Sequence, residues 1–282
     1  MPASICAKQQ MPIAPHLKTG SMSKPKIIIL SGYGLNCEDE TAHAFALAGG
    51  KTDIVHINDL AADKKKLARY QILAIPGGFS YGDDTGSGKA YANKLKNHLS
   101  EQLRAFADKN TLTIGICNGF QILTHTGLLP GALTFNDSPR YLTRWVDLQI
   151  RTAAAEAVSP WLTGITKLSL PIAHGEGKYY ADRQKLAALN KNNAIAYRYA
   201  RGEIARLHGL PVNPNGSLLD IAGITGYNGR VFGTMPHPER AVYFTQLPHW
   251  TFLKEKLRRD GQPIPLHGDG LQIFKNAINY FT

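Results

Sequence analysis

Gly115-Ile116-Cys117-Asn118-Gly119-Phe120-Gln121 sets one thiol where an apolar strand runs into a helix, with a glycine two residues to either side. A sharp strand-to-helix turn crowds its neighbours, so the residues flanking a nucleophile there must be small. Such an elbow exposes the sulfur at the carboxyl edge of a sheet, where open α/β sheets bind ligands. A position at a helix N-terminus also favours the thiolate of Cys117. The N–H of Asn118 would then point toward the oxygen of an attacked carbonyl. The plain alternative is a small buried residue that fills space, as most free cysteines do. The paired glycines weigh against it.

A thiol nucleophile needs a base. Met235-Pro236-His237-Pro238-Glu239-Arg240 supplies a histidine just after an apolar strand, and its two prolines stiffen the loop that carries it. Glu239 can accept the second ring N–H of His237, fixing the tautomer and stabilising the imidazolium. One histidine among ten is ordinarily structural; the carboxylate two residues on makes Cys–His–Glu the better reading. A third segment, Pro76-Gly77-Gly78-Phe79-Ser80-Tyr81-Gly82-Asp83, also ends a strand. Adjacent glycines let the main chain approach a substrate, and the Gly78 N–H could complete an oxyanion hole with that of Asn118. Alone, a Gly-Gly pair means no more than a turn.

The elements that must hold these segments are legible as alternating strands and helices. Lys26–Leu30, 52–57, 72–75 and 111–116 read as strands, with helices at Glu38–Ala48, Ala61–Arg69, within Gly86–Asn110 and at Asn118–Thr126. In the third helix Tyr91, Leu95, Leu99, Leu103 and Phe106 recur at steps of four or three, one amphipathic face. This alternation predicts an α/β fold, a mainly parallel sheet with helices on both faces. After Gly131 the pattern loosens into strands at 144–151, 166–173, 194–199 and 230–235 and helices at 249–259 and 269–281. No linker divides residues 25–282, which are expected to form one domain.

Composition narrows the classes of function. Apolar residues make up 43% and charged residues 19%, ordinary for a globular protein. No run approaches the ~18 apolar residues of a membrane span. Residues 1–24 lack the ~7–15-residue apolar core of a signal peptide and are expected to be a disordered extension. Cys6, Cys37 and Cys117 form neither a disulfide framework nor a zinc-type pattern, which fits a reducing cytoplasm. The net charge of +11 is scattered apart from Lys64-Lys65-Lys66, with no aromatic-interleaved basic stripe, so no nucleic acid partner is expected.

With the three chemical segments in this order, the chain resembles the triad, class I glutamine amidotransferases. More narrowly it is similar to the family of glutaminase components of phosphoribosylformylglycinamidine synthases, enzymes of purine biosynthesis. The narrower likeness rests on Pro76–Asp83, Pro171-Ile172-Ala173-His174-Gly175-Glu176-Gly177, Asn213-Pro214-Asn215-Gly216-Ser217 with Ile221–Ile224, and Met235–Arg240. The resemblance implies a flavodoxin-like fold, Cys117 as nucleophile, His237 as general base, Glu239 as its partner, and Gly78 and Asn118 as oxyanion-hole donors. It implies that Gln121, Gly77, Phe79, His174 and Gly175 lie at the glutamine site.

The resemblance also implies that ammonia passes to a synthetase subunit using ATP and Mg²⁺, with or without a small bridging subunit. No metal or cofactor is implied for this chain, and no G-x-x-x-x-G-K-[ST] phosphate loop occurs in it. Asp84-Thr85-Gly86-Ser87-Gly88-Lys89 departs from the Leu-Arg-Ala-Gly type segment of many members, toward the glutaminase region of the large fused enzymes. A glutaminase serving a different synthetase and a catalytically silent scaffold are the alternatives.

Overall fold

The computed structural model describes residues 24–150 and 159–282. The extension expected over residues 1–24 lies outside the described residues except for Lys24, as do Cys6 and the last residue of the strand expected at 144–151. β1 (Lys26–Ser31), β2 (Lys51–His56), β3 (Ile72–Ile75) and β4 (Leu112–Ile116) alternate with α1 (Glu38–Leu47), α2 (Ile57–Ala62), α3 (Lys89–Asp108) and α4 (Asn118–His125). β3 and β4 are buried along their whole length. A strand covered on both faces has no wet side, hence the predominantly apolar runs, with Thr113 a buried polar exception in β4. On α3 the five residues spaced by four or three are all buried against the sheet side.

The second helix differs from its expected span. α2 begins at Ile57, where His56 Nδ1 accepts from the N–H of Asn58 at 3.2 Å. Asp63 breaks it (φ −116°, ψ 78°), and Lys64–Arg69 winds as a separate 3₁₀ segment. Three adjacent lysines offer no apolar stripe to hold a longer α-helix.

The later part of the chain adds β5 (Ala132–Thr134), β6 (Leu142–Gln149), β7 (Lys167–His174), β8 (Lys178–Tyr180), α5 (Arg183–Lys191), β9 (Ile195–Tyr199), α6 (Glu203–His208), β10 (Ile221–Gly226), β11 (Val231–Thr234), α7 (Trp250–Arg259) and α8 (Gly270–Asn279). β5, β8, β10, α5 and α6 have no counterpart in the sequence reading. β5 and β8 are three-residue strands that pair only with each other, and β10 carries two glycines and a shifted register against β9.

The main sheet runs β2-β1-β3-β4-β11-β10-β9-β6-β7. Pairings from β2 to β11 are parallel, and those from β11 to β7 are antiparallel. The expected parallel sheet is the first half, in flavodoxin-like order with β11 as its fifth strand; the antiparallel half extends it. The chain steps from β1 to β2 in one direction and from β3 to β4 in the other, so right-handed crossovers put α1 and α3 on opposite faces. α8 joins α1, with Phe45 and Phe274 meeting edge to face at 4.9 Å, and α4 joins α3. Among the described residues no helix is long and apolar enough to cross a membrane.

Candidate active site

Because β1, β3, β4 and β11 are adjacent and parallel, the loops that leave their carboxyl ends emerge side by side. These are residues 32–37, residues 76–83, the elbow at Cys117, and residues 235–240. Thr234 pairs with Ile116, and the Cys117 N–H donates to the Thr234 carbonyl at 2.7 Å. His237 follows three residues later, its N–H held by the Pro171 carbonyl of β7 at 2.8 Å. The structure therefore brings the predicted nucleophile and base to one corner.

The elbow itself is strained. Cys117 has φ 51° and ψ −105°, a sparsely populated conformation that costs about 1–3 kcal/mol and persists only when its surroundings enforce it. The flanking glycines supply that enforcement through packing, since neither has a positive φ. A Cβ on Gly119 would run into the Ile75 carbonyl, 2.7 Å from its carbon, and one on Gly115 would lie 2.7 Å from the Gly119 carbonyl carbon. The turn is tight because strand and helix backbones touch there.

Asn118 opens α4, so its N–H has no intrahelical acceptor. Gly78 (φ +152°) is the position where backbone freedom matters, because a Cβ there would lie 2.7 Å from both the Asn36 nitrogen and the Leu35 Cα. The loop after β1 grips it from both sides: the Phe79 N–H donates to the Gly34 carbonyl at 2.8 Å and the Asn36 N–H to the Gly77 carbonyl at 3.1 Å. The Gly78 N–H takes no part in either bond.

His237 and Glu239 are both 2% exposed, with His237 Nδ1 donating to Glu239 Oε1 at 2.5 Å. An ionised carboxylate only accepts, so Nδ1 carries the proton and Nε2 is left for the nucleophile. Burial opposes the imidazolium, but the charges of Glu239 and Cys117, with the Cys117 and Cys37 sulfurs nearby, hold the ring well above its ordinary range. Nε2 itself closes no hydrogen bond among the described residues. Such contacts commonly tighten only when substrate is bound. The Cys117 thiol meanwhile donates to the Ala173 carbonyl at 3.6 Å.

The remaining predicted residues fall around this corner in unequal ways. Gly77 lies over the imidazole, where a Cβ would sit 2.8 Å from His237 Cε1. Phe79 is exposed, its ring 5.8 Å from that of Tyr141. Gly175 accepts the Asn136 N–H at 3.0 Å. Gln121 is buried with both amide ends committed: its Oε1 accepts from Asn118 Nδ2 at 2.8 Å and its Nε2 donates to the Glu176 carbonyl at 2.6 Å. In this state Gln121 braces the elbow against the 174–177 segment, and a direct glutamine contact requires it to give up one of these bonds.

His174 is buried beneath Gly177, its Nδ1 donating to Asn136 Oδ1 at 3.1 Å. Asn136 Oδ1 also accepts the Gly177 N–H at 3.1 Å, while its Nδ2 donates to the carbonyls of Arg140 and His174. These bonds fix the amide and hence the histidine tautomer. Burial, reinforced by His237, pushes His174 down to about 3. The native state therefore refuses a proton that the unfolded chain takes up near the ordinary 6.5. The stability this contributes is present above pH 6.5 and lost as pH falls toward 3, at up to about 1.4 kcal/mol per pH unit. Urea titrations should show this fall between pH 6 and pH 4, and His174→Asn should flatten it. An equal slope in both proteins would contradict the assignment.

Several residues at the site escape the sequence reading. Tyr141 lies within electrostatic reach of Cys117, His237 and Arg240, its phenol raised chiefly by burial. Cys37, buried at the start of α1, accepts from Arg240 Nη2 at 2.9 Å. The only sequence signal for Cys37 is a second thiol just past the first strand.

The chain matches the model of the CobB/CobQ-like glutamine amidotransferase domain over residues 24–281. It is 49% identical to a phosphoribosylformylglycinamidine synthase subunit PurQ of Methanococcus maripaludis over 270 residues, 92% of this chain and 98% of that protein. A protein of the same name from Dehalococcoides mccartyi is 44% identical over 272 residues, again 92% of this chain and 98% of the relative. Among solved structures, a chain of PurLQS from Thermotoga maritima superposes with a TM-score of 0.68 at 31% identity, covering 92% of this chain and 100% of that one.

Proposed function

The chain belongs to the CobB/CobQ-like glutamine amidotransferase domain family, and we propose that it is the glutamine-hydrolysing subunit of a phosphoribosylformylglycinamidine synthase. In this reading it supplies ammonia to a synthetase subunit, which uses ATP and Mg²⁺ to convert formylglycinamide ribonucleotide to the amidine in purine biosynthesis. The likeness to named synthase subunits across nearly their whole length supports the pathway. The chemistry is supported by the meeting of Cys117 with the buried His237–Glu239 pair. A reduced thiol suits a reducing compartment such as the cytoplasm.

The Cys117 sulfur attacks the side-chain carboxamide of glutamine, and the tetrahedral oxyanion is held by the N–H groups of Gly78 and Asn118. The His237 imidazolium gives its Nε2 proton to the departing ammonia, leaving a γ-glutamyl thioester. Water deprotonated by the now neutral ring attacks the thioester, releases glutamate and restores the thiol. Glu239 keeps the ring in one tautomer through both steps. Phe79, Gly175 and Tyr141 border the corner where glutamine would enter.

The test is reconstitution. Glutamine hydrolysis by the chain alone should be low and rise when the purine synthetase is added; no rise would favour service to a different synthetase. Glu239→Gln should lower kcat about 10²-fold or more with little change in KM, because the isosteric amide keeps the geometry but removes the charge that stabilises the imidazolium. Unchanged turnover would mean that another group orients His237.

A further inference from the structure

Cys37 lies beside the imidazole from a different loop than the nucleophile. Its sulfur falls 3.3 Å from the point where a Gly77 Cβ would stand, the same point that lies 2.8 Å from His237 Cε1. The donor atoms of Cys37, His237 and Glu239 all lie within 4.8 Å of one another. The sulfur is spoken for: Arg240 Nη2 donates to it at 2.9 Å, while the thiol reaches Asn36 Oδ1 at 3.5 Å. Arg240 Nε, by contrast, stands 3.8 Å from Glu239 Oε1, an ion pair without a hydrogen bond, and Glu239 Oε2 is buried with no hydrogen-bond partner among the described residues.

A guanidinium beside a half-satisfied buried carboxylate would ordinarily close on it, since a bidentate Arg–carboxylate pair is among the strongest contacts available. Doing so would neutralise the charge that His237 relies on. We propose that Cys37 is a positioning residue that clamps Arg240 and keeps its guanidinium from closing a hydrogen-bonded pair with Glu239, reserving that carboxylate for His237. This rests on Cys117, His237 and Glu239 forming the catalytic set.

The groups facing His237 are Glu239 and Arg240 from its own loop, Cys117 from the elbow, Cys37 from the start of α1, His174 from β7, and Tyr141 from the segment before β6. Removing the Cys37 sulfur frees Arg240 to approach Glu239, and both changes make the imidazolium less favourable. A thiolate–imidazolium pair then loses its second proton at lower pH, so the alkaline limb of the bell-shaped kcat/KM profile moves down.

The experiment measures that profile for glutamine hydrolysis by the full chain assembled with its synthetase partner. Cys37→Ala should move the alkaline limb down by about one pH unit, a tenfold loss at the alkaline end. Cys37→Ser, whose hydroxyl still accepts from the guanidinium, should move it less. Adding Arg240→Met to Cys37→Ala removes the competitor and should recover at least half of the shift. Thermal melting of each variant monitors folding. A merely structural cysteine would lower the amplitude and leave the limbs in place, and that result would overturn the proposal. So would a double variant shifted as far as Cys37→Ala. If Cys117→Ser left hydrolysis intact in the same assay, the catalytic set itself would be wrong and the proposal would fall with it.

Discussion

Cys117→Ala is expected to lower glutamine-dependent amidine synthesis by at least ~10³-fold while ammonia-dependent synthesis by the assembled complex continues, because a covalent route has no substitute for its nucleophile. The asymmetry follows from where the chemistry sits: the sulfur serves only to release ammonia, and free ammonia bypasses it. The substitution also leaves the elbow as it is, since alanine still carries the Cβ that the φ of 51° accommodates. Stability should change little, or rise slightly. The paired assays with glutamine and with ammonium chloride check this, and equal loss of both activities would contradict the role given to Cys117.

Gly119→Ala is the second large effect, and it arises from packing. The added Cβ would be driven into the Ile75 carbonyl at the end of β3, in backbone that cannot swing aside as a side chain could. Overpacking of a well-filled site costs about 1–3 kcal/mol, and a clash with main chain belongs at the upper end or beyond. At about 3 kcal/mol the thermal midpoint should fall by roughly 6–12 °C. Relief can come only by moving α4 away from β3. That shifts the Asn118 N–H relative to Gly78, and misplacement of about 1 Å can cost ~10²-fold in rate. Calorimetry and glutaminase assays on the same preparation should show both losses. A stable, active variant would mean that the elbow is looser than its geometry implies.

The site was legible in the sequence wherever chemistry and backbone constraint coincide in one short segment. Gly115–Gln121 declares its elbow because both glycines are needed within two residues of the thiol, and Pro236-His237-Pro238-Glu239 carries base and partner together. β1 and β3 in the parallel half were legible for a related reason: strands buried on both faces write themselves as apolar runs. The antiparallel half is quieter. β10 reads Ile-Ala-Gly-Ile-Thr-Gly, too glycine-rich to register as a strand, yet all but its last residue are buried. Its partners β9 and β11 hold it in the sheet, information that lies elsewhere in the chain.

The least legible features are contacts between distant segments. Arg240 meets Cys37 across 203 positions, and Asn136 fixes the tautomer of His174 from 38 positions away. Neither arginine nor asparagine carries a local signal for such a task. Gln121 shows the converse case. The family resemblance implied a hand on substrate, and the fold spends both ends of its amide on Asn118 and Glu176.

The most direct measurement is peptide mass spectrometry after exposure of the assembled enzyme to a glutamine analogue with an electrophilic carbon at the side-chain carbonyl. A single covalent adduct is expected on Cys117, suppressed by excess glutamine and absent from Cys117→Ala. An adduct that forms on Cys37 instead, or one on Cys117 that glutamine does not suppress, would contradict it.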